Sequence, residues 1–265
     1  MVITYSFSSA LSCSAATCIL RKIPPILRSF TKLAPSILPY YRISLSSSPM
    51  LLRYLSKKNV GLLCGSSTHI HNSLSYTSKN IICDNMRRTN IDILYSKKSN
   101  INQYVVSNIT DLKNIYAFSP NASFWIKTKI SRDGISNAKK MMDYIWENKC
   151  LYNGIYYDVR EFSNGHISAS VYSHKIAMSY LCVNMFPYSH EIGLPISNIH
   201  INACDEISTL DNLNELRSIF KEYHIFNYLK TQGVQLHMSV DKLFDTQMSQ
   251  QHNTSAYPYE RIINE

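Results

Sequence analysis

The chain has 265 residues, 45% of them hydrophobic, and a formal net charge of +9, a composition that excludes wholesale disorder and is sufficient for a folded core. No apolar run approaches the roughly 18 uninterrupted residues of a membrane-spanning helix, so no membrane association is expected. The charge is unevenly placed: nine basic residues (Arg21, Lys22, Arg28, Lys32, Arg42, Arg53, Lys57, Lys58, Lys79) precede the first acidic one, Asp84, and the remainder balances at 18 of each sign.

Residues 1–83 are rich in Ser and basic residues, free of acids, and carry apolar clusters such as CILRKIPPILRSF. That is the composition of an organelle transit peptide, because a negative-inside membrane potential draws cations inward and carboxylates oppose it. The mitochondrion is the first expectation and the plastid the alternative. A retained basic tail fits the same composition. Residues 84–117 show no sustained period and read as linker or extended leader. The seven cysteines contain no C-x-x-C pair, which argues against a disulfide framework and a zinc site.

From Ser123 the pattern sharpens. SFWIKTKI alternates as a half-buried strand, and after the turn SRDG the residues Ile135, Ala138, Met141, Met142, Ile145 and Trp146 take helical spacing, with Asp133 or Ser136 as cap. Asn153-Gly154 marks a turn, IYYDVREF alternates again, and SNGH followed by ISASVY completes an expected antiparallel hairpin. YSHKIAM then reads as a loop and SYLCVNMF as an interior strand. A helix is expected over Leu210 to Lys230, with an interruption allowed at KEYH, and GVQLHMSV closes as a strand.

This order, βαββαβ, is the ferredoxin-like split βαβ plan of the α+β class, a four-stranded antiparallel sheet with two helices on one face. It is assigned to residues 118–242, and residues 243–265 read as a polar tail.

Residues able to carry chemistry are few. His174, Cys182 and His190 sit eight apart, a spacing that matches no ligand pattern. Asp158 and Glu161, three apart on a strand, point to opposite faces. No G-x-G-x-x-G, G-K-[ST] or G-x-S-x-G occurs. The aromatic residues Trp125, Tyr156, Tyr157, Tyr172 and Tyr180 lie on or beside expected strands, where aromatics stack RNA bases in some modules and fill cores in more. No catalytic residue, cofactor or metal is expected.

The segment GIYYDVREFSNGHISASVYSHKIAMSYLCVNMF resembles the central pattern of the small-subunit ribosomal protein six family, through Gly154, Tyr156, Val159, Glu161, Phe162, Ile167, Val171, Lys175 and Tyr180, and EYHIFNYLK resembles its later helix through Ile225, Phe226, Tyr228 and Leu229. The family's W-G is Phe162-Ser163 here. The resemblance implies a structural constituent of an organellar small ribosomal subunit, not an enzyme, with small-subunit ribosomal RNA and small-subunit ribosomal protein eighteen as partners and no small-molecule substrate. Arg160, His166, His174 and Lys175 are the resulting candidates for phosphate contact, and Gly154, Phe162, Tyr180 and Tyr228 hold the family pattern. Two other classes stay open. One is a ferredoxin-like ligand-binding or regulatory domain. The other is a lineage-specific organellar enzyme subunit using the polar stretch with His190, Glu191, His200, Cys204, Asp205 and Glu206.

Overall fold

The computed structural model describes residues 23–43, 49–74, 80–84, 90–159, 170–203 and 206–244. Eight strands run parallel and close on themselves: β1 (Ile37–Arg42), β2 (Gly61–Cys64), β3 (Ile81–Cys83), β4 (Gln103–Val106), β5 (Ser123–Thr128), β6 (Leu151–Asp158), β7 (Asn198–Asn202) and β8 (Gln235–Ser239), with β8 pairing back onto β1. The helices follow in alternation: α1 (residues 23–33), α2 (Pro49–Lys57), α3 (Ser67–Leu74), α4 (Asn90–Lys98), α5 (Ile109–Phe118), α6 (Arg132–Glu147), α7 (Val171–Asn184), α8 (Phe186–Glu191), α9 (Leu210–Glu222), α10 (Ile225–Thr231) and α11 (residues 241–244). This is a (β/α)8 barrel with an added N-terminal helix.

Strand periodicity sorts side chains between two cores. In β7 and β8 the apolar Ile199, Ile201, Leu236 and Met238 join the shell between sheet and helices, while their neighbours His200 and His237 meet the rings of Tyr40 and Trp125 inside the barrel. Tyr40, Leu63, Ile82, Val105, Trp125 and Tyr156 form the inner cluster. The barrel axis is therefore packed, largely with rings. Gly61 admits the Tyr40 ring, which a Cβ there would strike.

The helices are set by the same sorting of faces. In α6, Ile135, Ala138, Met141, Met142 and Ile145 are buried and Ser131 caps the start by accepting from Gly134 N at 3.1 Å; each large apolar side chain so buried contributes roughly 1.5–3 kcal/mol. In α9, Thr209 and Asn212 form a reciprocal capping box.

The ferredoxin-like expectation is overturned: the described strands are all parallel, and they number eight. β5, α6 and β8 lie where the sequence places them, and the expected helix over Leu210–Lys230 is divided into α9 and α10 at His224, whose φ is 56°. Of the expected antiparallel hairpin, the turn SNGH and the first half of ISASVY lie outside the described residues, and the first strand has both edges taken by parallel neighbours. β6 pairs in parallel with β5 and β7, and Asn153-Gly154 sits inside it beside a register shift, not at a turn. YSHKIAM and most of SYLCVNMF are one helix, α7, because Val171, His174, Ala177, Met178 and Leu181 recur at helical spacing behind the Ser170–Ser173 capping box. Residues 37–83, expected as leader, supply β1 to β3, and 84–117, expected as linker, supply α4, β4 and α5. No helix among the described residues is long and apolar enough to cross a membrane.

Candidate active site at the barrel mouth

In barrels of this kind, function concentrates where the strands end. At that end Arg42 closes β1, and its Nη2 lies 2.7 Å from Asp84 Oδ2, just past β3. Tyr156, from β6, completes a triangle: its hydroxyl donates to Asp84 Oδ2 at 3.0 Å, and Arg42 Nη2 donates to Tyr156 Oη at 3.2 Å. Behind Arg42, Asp241 accepts the Arg42 backbone N–H on Oδ1 at 2.5 Å, and its Oδ2 lies 3.8 Å from Arg42 Nε. A second pair follows around the rim, where Asn202 at the end of β7 donates to Asp158 Oδ2 at 2.6 Å. Lys127 follows Trp125 on the same face of β5 and is half-buried. Among the described residues, the strand ends thus place three buried carboxylates, Asp84, Asp158 and Asp241, against Arg42 and Lys127.

Beneath lies the ring layer. His200 stacks on Tyr156 with centroids 4.7 Å apart and an interplanar angle of 16°. Its Nε2 shares a 2.7 Å hydrogen bond with Ser239 Oγ, and His237 Nε2 shares one of 3.2 Å with Asn198 Oδ1. Burial keeps both imidazoles neutral: the pKa of His200 is lowered well below its usual value, chiefly by burial and further by His237 and Arg42, and that of His237 is lowered to about 4 by burial. Nδ1 of each ring and Oδ1 of Asp84 have no hydrogen-bond partner among the described residues.

The sites expected from sequence do not assemble. His174 is fully buried on α7, with Nδ1 3.5 Å from Tyr157 Oη and Nε2 3.9 Å from Glu206 Oε2, and its pKa is lowered to about 4 by burial, against the opposing influence of Asp158. It cannot face a phosphate on a solvent-borne nucleic acid. Lys175, one residue on, is half-buried and sits over the Tyr223 ring, 3.2 Å from its centroid, while donating to Tyr172 Oη at 3.0 Å. Arg160, Phe162 and His166, together with Glu161 and Ile167, lie outside the described residues. Gly154 is in β6, Tyr180 is in α7 instead of heading a strand, and Tyr228 is in α10.

The polar stretch named for an enzyme subunit divides as well. His190 and Glu191 are in α8, where His190 Nε2 meets Gln232 Oε1 at 2.9 Å, His200 is inside the barrel and Glu206 beside His174; Cys204 and Asp205 are outside the described residues. Among the described residues no group of three or more His, Cys, Asp or Glu could hold a metal. Of the mouth residues, sequence reasoning singles out Asp158, for a pairing with Glu161, and Tyr156, as a strand aromatic. Arg42, Asp84, Lys127, Asn202 and Asp241 come from strands far apart in sequence, and no local spacing announces them.

The comparisons define the class of protein that shares this barrel. Residues 20–142, just under half of the chain, match the family model described as the pyridoxal-dependent decarboxylase, pyridoxal binding domain. An ornithine decarboxylase of Candida albicans is 28% identical over 114 residues, which is 42% of this chain and 24% of that protein. Among solved structures, the arginine decarboxylase of Paramecium bursaria Chlorella virus bound to agmatine superposes with a TM-score of 0.69 at 16% identity, covering 86% of this chain and 64% of that one. The lysine/ornithine decarboxylase of Vibrio vulnificus complexed with putrescine gives 0.67 at 14% identity, covering 85% and 61%. The chain therefore spans about a quarter of the Candida relative and less than two thirds of the solved chains.

These findings overturn the ribosomal reading. The likeness in sequence and in fold is to decarboxylases, so the expectations of a ribosomal constituent, of a non-enzyme, of ribosomal RNA and protein partners, and of no small-molecule substrate are all corrected. The apparent resemblance rests on apolar spacings within β6, α7 and α10 that a barrel strand and two helices satisfy equally well.

Pyridoxal phosphate is the group this class implies, and the described mouth does not fit it. That cofactor needs a lysine to link covalently and a cradle for its phosphate. Lys127 is the single lysine on any of the eight strands. The connections after β7 and β8, where such barrels often seat a phosphate, begin Ala203-Cys204-Asp205-Glu206 and Val240-Asp241-Lys242, with no glycine and with three carboxylates.

Proposed function

We propose that this chain is a decarboxylase-type barrel that takes a small basic amino acid, or the amine derived from one, at its mouth. The observation that carries the reading is the sequence match to the pyridoxal-dependent decarboxylase domain, which runs through β1 to β5 and so includes Arg42, Asp84 and Lys127. The acidic rim supports it. Asp158 and Asp84 offer carboxylate oxygens to an ammonium group, and the ring layer of Tyr156 and His200 below supplies an apolar floor for a methylene chain. The named ligands of the similar structures, agmatine and putrescine, are cations of this kind.

A thermal-shift panel tests the proposal. Ornithine, lysine, arginine, putrescine, cadaverine and agmatine are titrated against the purified chain, with an uncharged amino acid of similar length as control. A saturable rise in melting temperature with at least one cation and none with the control is expected. Equal, unsaturable responses across the panel would sink the reading. An organellar address, mitochondrion ahead of plastid, is part of the proposal on the ground of the acid-free basic start, and imaging a fusion of residues 1–22 to a reporter tests it.

A further inference from the structure

We infer that the mouth of this barrel does not hold pyridoxal phosphate, because its eight strands offer a single lysine and a buried carboxylate, Asp241, stands just past β8, near where barrels of this kind often seat a phosphate. Ligand recognition is thereby separated from the cofactor, a step beyond the proposed function.

Three observations converge. The first concerns the amine. The connections that follow β1, β3, β6 and β7 (residues 43–48, 84–89, 159–169 and 203–206) contain no lysine. Among the described residues of the strands and the connections that follow them, only Lys127 on β5 and the exposed Lys129 and Lys242 are lysines, and Lys127 is already engaged by a neighbouring group.

The second concerns the phosphate. A phosphate seated near the ends of β7 and β8 needs backbone N–H groups and cationic surroundings. Here a carboxylate of the protein takes that role. Asp241 Oδ1 accepts the Arg42 backbone N–H, and Asp241 is buried in the connection after β8. A dianion placed there meets like charge.

The third concerns space and countercharge. The Arg42 guanidinium is committed to Asp84, to Asp241 and to the Tyr156 hydroxyl. That brace ties β1, the end of β3 and β6 together directly above the Tyr156–His200 stack, through the Tyr156 side chain that belongs to both.

The test uses the full chain, shown to be folded by a cooperative melting transition. Pyridoxal phosphate is added over a range of concentrations, visible absorbance is followed, and borohydride reduction is followed by peptide mass mapping. Substoichiometric labelling scattered over exposed lysines, without a saturable absorbance band and unchanged in Lys127→Met, is the expected result. One pyridoxyl group per chain on a single mouth lysine, with a saturable band that the corresponding lysine variant abolishes, would overturn the inference.

The amine titration is repeated on the same preparation without cofactor. A saturable response there supports both the inference and the proposed function. No response to any amine, together with scattered labelling, removes the proposed function and leaves the exclusion of the cofactor in place. A response to amines only after stoichiometric loading with the cofactor overturns the inference and leaves the proposed function standing.

Discussion

Arg42 Nη2 and Asp84 Oδ2, 2.7 Å apart, join the first strand of the barrel to the end of the third, and Asp84 is almost entirely buried whereas Arg42 keeps 28% of its side-chain surface. The asymmetry of burial sets an asymmetry of cost. Arg42→Met strands a buried carboxylate and should destabilise by about 3–5 kcal/mol. Asp84→Asn leaves Arg42 beside Asp241 and partly in water, so a smaller loss of about 1–2 kcal/mol is expected. Urea denaturation of the two single variants and the double variant checks both the order and the coupling, since the double should cost less than the sum.

Three buried histidines make stability depend on pH. The folded pKa values of His174 and His237 are lowered to about 4, and that of His200 is lowered well below its usual value, all chiefly by burial. An unfolded histidine titrates near about 6.5, so below that pH the unfolded chain binds protons that the folded chain refuses. Stability is fully present above the unfolded value and falls as pH drops from there towards about 4. Urea midpoints measured across this range should decline steadily, and His237→Asn should flatten the decline. A midpoint that is constant over the window would show that these rings are not buried as neutral groups.

Two glycines of positive φ separate strain from collision. Gly193, at φ 70°, has open space where a Cβ would sit, while Gly154, at φ 154°, would drive a Cβ into the carbonyl of Asn198 on β7. Gly193→Ala should cost about 1 kcal/mol from backbone conformation alone. Gly154→Ala should cost more than about 2 kcal/mol, because the β6–β7 ladder must open to admit it. Thermal melts of the two variants give the comparison.

His224 carries a left-handed backbone, φ 56°, at the break between α9 and α10. A glycine there removes the Cβ penalty, so His224→Gly should stabilise the chain by about 0.5–1 kcal/mol, read as a higher melting temperature.

How much of the barrel is legible in the sequence depends on which faces each segment buries. β5 and β8 alternate in the primary sequence and can be read there, as can α6 and the broken α9–α10 helix. β2, β3 and β4 cannot, because GLLC, IIC and QYVV are short and nearly wholly buried, so neither face shows a period. α7 imitates a loop and a strand because apolar residues surround it, with Val183 exposed and Leu181 buried. The parallel closure is hidden for a further reason. Asn153-Gly154 has the composition of a tight turn, yet the glycine serves a close approach of β6 to β7. The constellation at the mouth is illegible, since Arg42, Asp84, Tyr156 and Asp241 are separated by up to 199 positions and meet only after the barrel closes.

Carboxylates at the mouth receive a small cation in the proposed function, and calorimetric titration into the wild-type chain and into Asp158→Asn tests this most directly. The titrants are putrescine and whichever basic amino acid the thermal-shift panel favours. One site per chain is expected, weakened roughly tenfold or more in the variant, as follows from loss of a charge-assisted hydrogen bond worth at least about 1.4 kcal/mol. Unchanged affinity in the variant, or no saturable heat with the wild-type chain, would contradict it.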